Sequence, residues 1–247
     1  MNAKIHVEWG ARALDAKADI MVIVDCLSFS TATTVATAKG ARVYPFSLKD
    51  EAIDFAVALN VPCANKRSLG GLSLSPPTLA VLGKADAIIL PSPNGSHLTL
   101  FADAPIVIAG CLRNAKAVAD FINISGVRNV QFVAAGERWQ DGGLRPAFED
   151  WIACGAMIHL LNGILTAEAG AAAASFRWAE PDLQKMLKNC LSGQELCAQG
   201  FEQDVQWASE LSLERHVPML RGLDACYADF GVADERLKPL SVKYYEV

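Results

Sequence analysis

The sequence has no apolar run long enough to cross a membrane, no Cys-x-x-Cys pair and no run or stripe of Lys and Arg. Its strand-like apolar stretches, such as Ile20–Val24 and Ala87–Leu90, fall far short of the ~20 residues that a spanning helix needs. The amino terminus, Met1-Asn2-Ala3-Lys4-Ile5, has no apolar segment followed by a small-residue cleavage site, which argues against secretion. The seven cysteines, at 26, 63, 111, 154, 190, 197 and 226, are scattered and odd in number, the pattern of reduced, packed thiols in a cytoplasm. With 22 Lys and Arg against 27 Asp and Glu, the net charge is −5, which argues against a nucleic-acid surface. The usual phosphate signatures are missing as well. Neither G-x-x-x-x-G-K-[ST] nor G-x-G-x-x-G occurs. Asp25-Cys26-Leu27 lacks the second acid of an aspartyl-phosphate nucleophile, and Cys26 has Ala32 where a cysteine phosphatase carries its arginine. The four histidines, 6, 97, 159 and 216, make no zinc pattern.

What is present describes a well-buried globular protein. Of 247 residues, 52% are hydrophobic and 20% charged, with a mean hydropathy of +0.23. From residue 18 to about 160, short β-branched runs alternate with helical segments, the signature of an α/β fold. Strands are expected at Asp19–Asp25, Arg42–Pro45, Pro62–Ala64, Ala87–Leu90, Pro105–Ile108 and Asn129–Ala134. Helices follow at about Ser30–Lys39, Lys49–Leu59, Ser96–Ala102, Asn114–Ile124 and Phe148–Leu161. The later residues, 166–215, read as a helical flank or lid, followed by a strand-like pair at His216–Leu220 and Leu240–Tyr245. The expected class is thus α/β, a layered sheet with helices on both faces plus a helix-rich C-terminal segment. No linker divides residues 1–247, which favours a single domain.

Three strand ends share one design. Asp25-Cys26-Leu27-Ser28-Phe29-Ser30-Thr31, Pro91-Ser92-Pro93-Asn94-Gly95-Ser96 and Gly110-Cys111-Leu112-Arg113-Asn114 each lead from a strand into a helix. Ser30, Asn94 or Ser96, and Asn114 are N-cap candidates. In a parallel sheet these loops share the carboxyl edge, where free N–H groups and helix dipoles favour a phosphate or sulfonate. Gly95 and Gly110 permit close backbone approach. Each loop alone is more often an ordinary cap than a site; the three together favour a site. Asp25 either caps its turn or ligates a hard cation such as Mg²⁺. Glu149 and Asp150 lie in a first helical turn, where acids suit the dipole, and they are the other oxygen ligands in reach. Lys66-Arg67, before Ser68-Leu69-Gly70-Gly71, is either a solvated loop or a cationic fork for an anion. Arg113 and Arg145 are weaker candidates of the same kind.

These segments resemble those of the magnesium-dependent 2-phosphosulfolactate phosphatases, an α/β family associated with coenzyme M biosynthesis. Val24-Asp25-Cys26-Leu27-Ser28-Phe29-Ser30-Thr31 is similar to that family's D-V-L-R-A-S-T-T, and Leu90 to Ser96 to its T-T-N-G-T loop. Gly110 to Ala115 is similar to G-S-L-L-N-A. Ala135-Gly136-Glu137 and then Glu149-Asp150 to Ala156 are similar to A-G…E-D-x-x-x-A-G-A. Ser192-Gly193, Asp204-Val205 and Val217-Pro218 follow in order. Two positions depart: Ser28 stands where the family has arginine, and Lys66 where it has an acid. The resemblance implies Mg²⁺-assisted hydrolysis of a small phosphorylated, or phosphorylated and sulfonated, anion. Asp25 and Glu149 would be catalytic, and Asp25, Glu149 and Asp150 would hold the metal. Ser30, Thr31, Lys66, Arg67, Asn94, Gly95, Ser96 and Asn114 would contact the substrate. Two alternatives stay open: an anion-binding homologue that lost activity through Ser28 and Lys66, and an α/β nucleotide-binding enzyme. No nucleic-acid or membrane partner is expected, and the apolar composition is compatible with a homodimer.

Overall fold

The computed structural model describes residues 2–47 and 51–247. Strands β1 (Lys4–Trp9), β2 (Ile20–Val24), β3 (Arg42–Phe46), β4 (Ala87–Pro91), β5 (Ile106–Ala109) and β6 (Asn129–Ala134) come first. The short β7 (Glu137–Arg138), β8 (Leu144–Arg145) and β9 (Ile164–Leu165) follow, then β10 (Met219–Cys226) and β11 (Ser241–Glu246). The helices are α1 (Phe29–Thr37), α2 (Ala52–Leu59), α3 (Pro76–Leu79), α4 (Gly95–Phe101), α5 (Ala115–Ser125) and α6 (Phe148–Ile158). A helical run then comprises α7 (Ala167–Ala179), α8 (Leu183–Asn189), α9 (Leu191–Ala198) and α10 (Glu202–Ala208).

The main sheet runs β4-β3-β11-β10-β5-β2-β6-β1-β9. Strand β2 is central, and all five of its side chains are fully buried, as a parallel strand covered on both faces requires. Its alternation sorts the core. Ile20, Val22 and Val24 pack with α5, α6 and α7 residues such as Val118, Ile152 and Ala172. Met21 and Ile23 face Leu98 of α4 and Ala13 on the other side. Helices therefore cover both faces, as the α/β reading expects.

The expected single parallel edge is modified. Strands β1, β2, β5 and β6 are mutually parallel, as are β3 and β4. The antiparallel β10–β11 hairpin lies between these two blocks. Following the ladder, β3 and β4 consequently run against β2. The final strand pair lies where His216–Leu220 and Leu240–Tyr245 anticipate it, displaced toward the C-terminus. The expected strand Pro62–Ala64 is only an isolated bridge, Cys63 to Ile89. The expected helix Lys49–Leu59 is observed as α2; Lys49 and Asp50 lie outside the described residues. Strand β1 is not among the expected strands, although its alternating Ile5, Val7 and Trp9 carry the period of two that marks a strand.

Helix α1 is buried along its whole length despite five Ser and Thr, which have weak helix propensity. Burial becomes tolerable because hydroxyls donate to nearby carbonyls: Ser30 to Ile23 at 2.9 Å, Thr31 to Cys26 at 2.7 Å and Thr37 to Thr33 at 2.8 Å. Packing against residues of β3, β4, β5 and β11, such as Val43, Ile88, Ala109 and Tyr245, and not propensity, makes this segment helical. No described helix is long and apolar enough to cross a membrane.

Candidate active site

The site is built around the carboxylate of Asp25, at the end of β2. It is 6% exposed and is clasped by two helix starts. Oδ1 accepts the N–H of Phe29, the first residue of α1, at 3.2 Å. Oδ2 accepts the N–H of Gly95, the first residue of α4, at 2.8 Å, and the hydroxyl of Ser92 at 3.3 Å. Of the three loops expected to share one parallel edge, those after β2 and β4 meet here although the two strands run in opposite directions, and the anion between their helix N-termini is the protein's own. Glycine at 95 is required by this approach. A Cβ there would stand 2.7 Å from Asp25 Oδ2 and 2.7 Å from Phe29 Cγ. Burial, with the charge of Glu149, pushes the Asp25 carboxyl up against the pull of these bonds.

Three further carboxyls gather nearby. Asp150, in the first turn of α6, is 3% exposed and ties two loops together. It accepts the Cys26 N–H at 2.7 Å and the Gly136 N–H at 2.8 Å, one on each oxygen. Burial and the charges of Glu149 and Asp25 push it well up. Glu149 is 2% exposed and takes the Cys190 thiol at 3.3 Å on Oε2. Glu137, in β7, accepts the Asn94 amide at 2.8 Å. Burial, then the Asp25 charge, pushes it up to about 7. The β7–β8 turn brings Arg145 back beside Glu137, where it forms a forked pair with Glu195 of α9, at 3.0 and 2.9 Å.

Several predicted contacts serve the scaffold. The Ser30 side chain donates to Ile23 O and accepts the Asp25 N–H, while Ser30 N donates to Asp25 O at 2.8 Å. The hydroxyls of Thr31 and Ser96 donate to Cys26 and Leu90 carbonyls, and all three side chains are fully buried. Asn114 is fully buried too. It accepts the Cys111 N–H at 2.9 Å and donates to Ala109 O at 3.0 Å, closing its own loop rather than lining the crevice. Arg113 is turned away, paired with Glu210 and with Glu214.

Arg67 does join the site. Its Nη2 donates to Ser28 Oγ at 2.7 Å, and its Nε to Asp204 of α10 at 2.9 Å. With Lys66 it lines a cavity of about 470 Å³. A second cavity, about 420 Å³, is lined by Asn94, Glu137, His97 and Arg138. A third, about 300 Å³, is lined by Arg145, Glu149 and Cys190. Glu137, Cys190, Glu195 and Asp204 escape the sequence reading. The only signals for them are Glu137 directly after Ala135-Gly136, and Asp204 within a segment that fits the resemblance.

The donor chemistry suits a hard divalent cation: buried carboxylate oxygens with mutual repulsion to relieve. Among the described residues no three His, Cys, Asp or Glu side chains form a ready-made cage. That is compatible with Mg²⁺, which is commonly held by one or two carboxylates together with waters and a substrate phosphate.

Known proteins resemble this chain over most of its length. The family model described as 2-phosphosulpholactate phosphatase matches residues 11–222. Relatives that carry the name "Probable 2-phosphosulfolactate phosphatase" include the following three. That of Pseudothermotoga lettingae is 28% identical over 207 residues, covering 81% of this chain and 88% of that protein. That of Carboxydothermus hydrogenoformans is 30% identical over 207 residues, covering 80% and 84%. That of Gloeobacter violaceus is 31% identical over 132 residues, an alignment spanning 53% of this chain and 54% of that protein. The chain belongs to the 2-phosphosulpholactate phosphatase family.

Proposed function

We propose that this protein is a Mg²⁺-dependent phosphatase of small phosphomonoesters, acting on 2-phosphosulfolactate or a close analogue. The observation that carries the reading is the clasp on Asp25. Two helix starts and Ser92 hold a buried carboxylate at a strand end, with Glu137, Glu149 and Asp150 around it. Family membership gives this cluster a phosphatase context.

Asp25 and Glu149 are assigned to the metal. Oδ1 of Asp25 takes a single long N–H bond, at 3.2 Å, and Oε1 of Glu149 takes no hydrogen bond among the described residues, so each has an oxygen to offer. The sequence reading makes Asp150 a ligand as well. Its oxygens each accept a short backbone bond, which suits it to bracing the Cys26 and Gly136 loops so that Asp25 and Glu149 keep their positions. Bound Mg²⁺ supplies Lewis acidity toward the phosphoryl group and acidifies an attacking water. Glu137 lines the 420 Å³ cavity and is held there by Asn94. It is assigned the proton exchange with the attacking water or the departing alcohol. Arg67 and Lys66 supply the positive charge for the substrate from the opposite loop.

Purified protein should release phosphate from a panel of small phosphomonoesters that includes 2-phosphosulfolactate, only when Mg²⁺ is supplied. No release from any of them, with or without Mg²⁺, would refute the reading. Thermal stabilisation by phosphate or sulfonate compounds without turnover would instead support an anion-binding protein.

A further inference from the structure

Asp204 lies on α10, in the helical run far along the chain from the strand-end loops. Its carboxylate is 1% exposed. It accepts Arg67 Nε at 2.9 Å on Oδ2, and the Ser75 hydroxyl on Oδ1. A buried carboxylate in an ion pair is costly to desolvate and is a weak source of stability, so its use must be sought in what it holds. Besides a 3.5 Å bond from its Nη2 to the Leu74 carbonyl, Arg67 is fixed from three directions. Asp204 takes Nε, Ser28 takes Nη2 at 2.7 Å beside Asp25, and the Phe201 ring lies under the guanidinium with its centroid 5.8 Å away. Nη1 makes no hydrogen bond among the described residues. The cavity of about 470 Å³ that Arg67 lines has apolar walls, Leu69, Leu74 and Phe201 among them, and Lys66 on its rim. No acidic side chain among the described residues lines it. By contrast, the two cavities bordered by Glu137 and Glu149 each contain acid.

We propose that Asp204 is a positioning residue that fixes Arg67 so that, with Lys66, it holds a second anionic group, a carboxylate or sulfonate on the non-reacting part of the substrate. This rests on the phosphatase reading for the word substrate, but its test requires no turnover. Arg67 held as a rigid fork meets a planar or trigonal anion with little further loss of freedom, and a loosened Arg67 loses that advantage. The second anion then selects the substrate, while the Asp25 cluster engages the phosphoryl group.

The test is calorimetric, on the full chain with Mg²⁺ present, using two non-hydrolysable probes. Phosphonoacetate carries a phosphonate and a carboxylate; ethylphosphonate carries the phosphonate alone. The parent should bind phosphonoacetate at least about tenfold more tightly, the ratio expected of one added charge-assisted pair. Asp204→Asn keeps the shape and an acceptor for Ser75 but loses the charge that holds Arg67; it should bring the ratio down toward one. Lys66→Ala, on the exposed rim, removes a side chain that makes no hydrogen bond or ion pair among the described residues and should lower the ratio severalfold. Arg67→Lys should behave like Asp204→Asn, because it keeps the charge and loses the fork. Equal affinity of the parent for both probes, binding of neither, or a ratio unchanged in Asp204→Asn and Lys66→Ala would overturn the proposal. Absence of phosphatase activity alongside an intact ratio would sink the functional reading and leave this one standing.

Discussion

Replacing Glu137 by Gln should make the metal-free protein more stable at pH 8 and leave it unchanged at pH 4.5. The Glu137 carboxyl, ordinarily near 4.5, is pushed up to about 7 in the folded protein, first by burial and then by the charge of Asp25. The folded state therefore holds this proton more tightly than the unfolded chain does. Its contribution to stability is complete below the unfolded value, declines as pH rises from 4.5, and is lost above about 7. At 1.36 kcal/mol per unit, allowing for partial solvent contact, the penalty at pH 8 is roughly 2–3 kcal/mol. The amide introduced by Glu137→Gln carries no charge and can still accept the Asn94 amide, so the variant escapes that penalty. For a chain of this size the gain corresponds to a rise of about 5–10 °C in midpoint temperature. Melting curves of both proteins in chelator, from pH 4.5 to 8.5, would show them diverging through that window. Curves that run parallel, or a variant less stable at pH 8, would refute the claim that this cluster is electrostatically frustrated without a cation. Activity should fall in the same variant, the expected conflict between a strained site and stability.

Gly95→Ala should destabilise the fold by about 1–3 kcal/mol, the usual cost of forcing a methyl into a packed site. It should also depress phosphate release, because either α4 or Asp25 must move; denaturant unfolding and initial rates check the two effects separately. Asp150→Ala removes the acceptor of two N–H groups, those of buried Cys26 and Gly136. Set against the relief of a buried charge, the loss should still be about 2–4 kcal/mol, read from denaturant midpoints at pH 7.

The parts of this molecule that are legible in the sequence are those whose signal is local. Ile20–Val24 and Asn129–Ala134 are dense in β-branched and apolar residues because both faces of these strands are covered. Asp25, Asn94-Gly95 and Glu149-Asp150 stand at strand-to-helix junctions, and the structure brings them together. Ser30, Thr31, Ser96 and Asn114 read, in the sequence, as open donors at helix starts. In a fully buried setting, however, each small polar side chain must satisfy the backbone next to it, and that is how they are used. Glu137 follows β6 closely and is held at the site by Asn94, whereas Arg145 comes beside it only because the β7–β8 turn folds back, and nothing in Glu137–Arg145 fixes that register in advance. Cys190, Glu195 and Asp204 touch Glu149, Arg145 and Arg67 across long separations in the chain. Such contacts are set by how α8, α9 and α10 pack, which no short pattern encodes.

The proposed chemistry stands most directly on Asp25 as the anchor of a Mg²⁺-dependent reaction. Phosphate release from 2-phosphosulfolactate should be measured as Mg²⁺ is titrated in, with the parent beside Asp25→Asn. The parent should show a saturable rise with Mg²⁺, and the variant, properly folded, should lose at least about a hundredfold in rate at every concentration. Equal rates in the two proteins, or release from the parent that is indifferent to Mg²⁺, would contradict it.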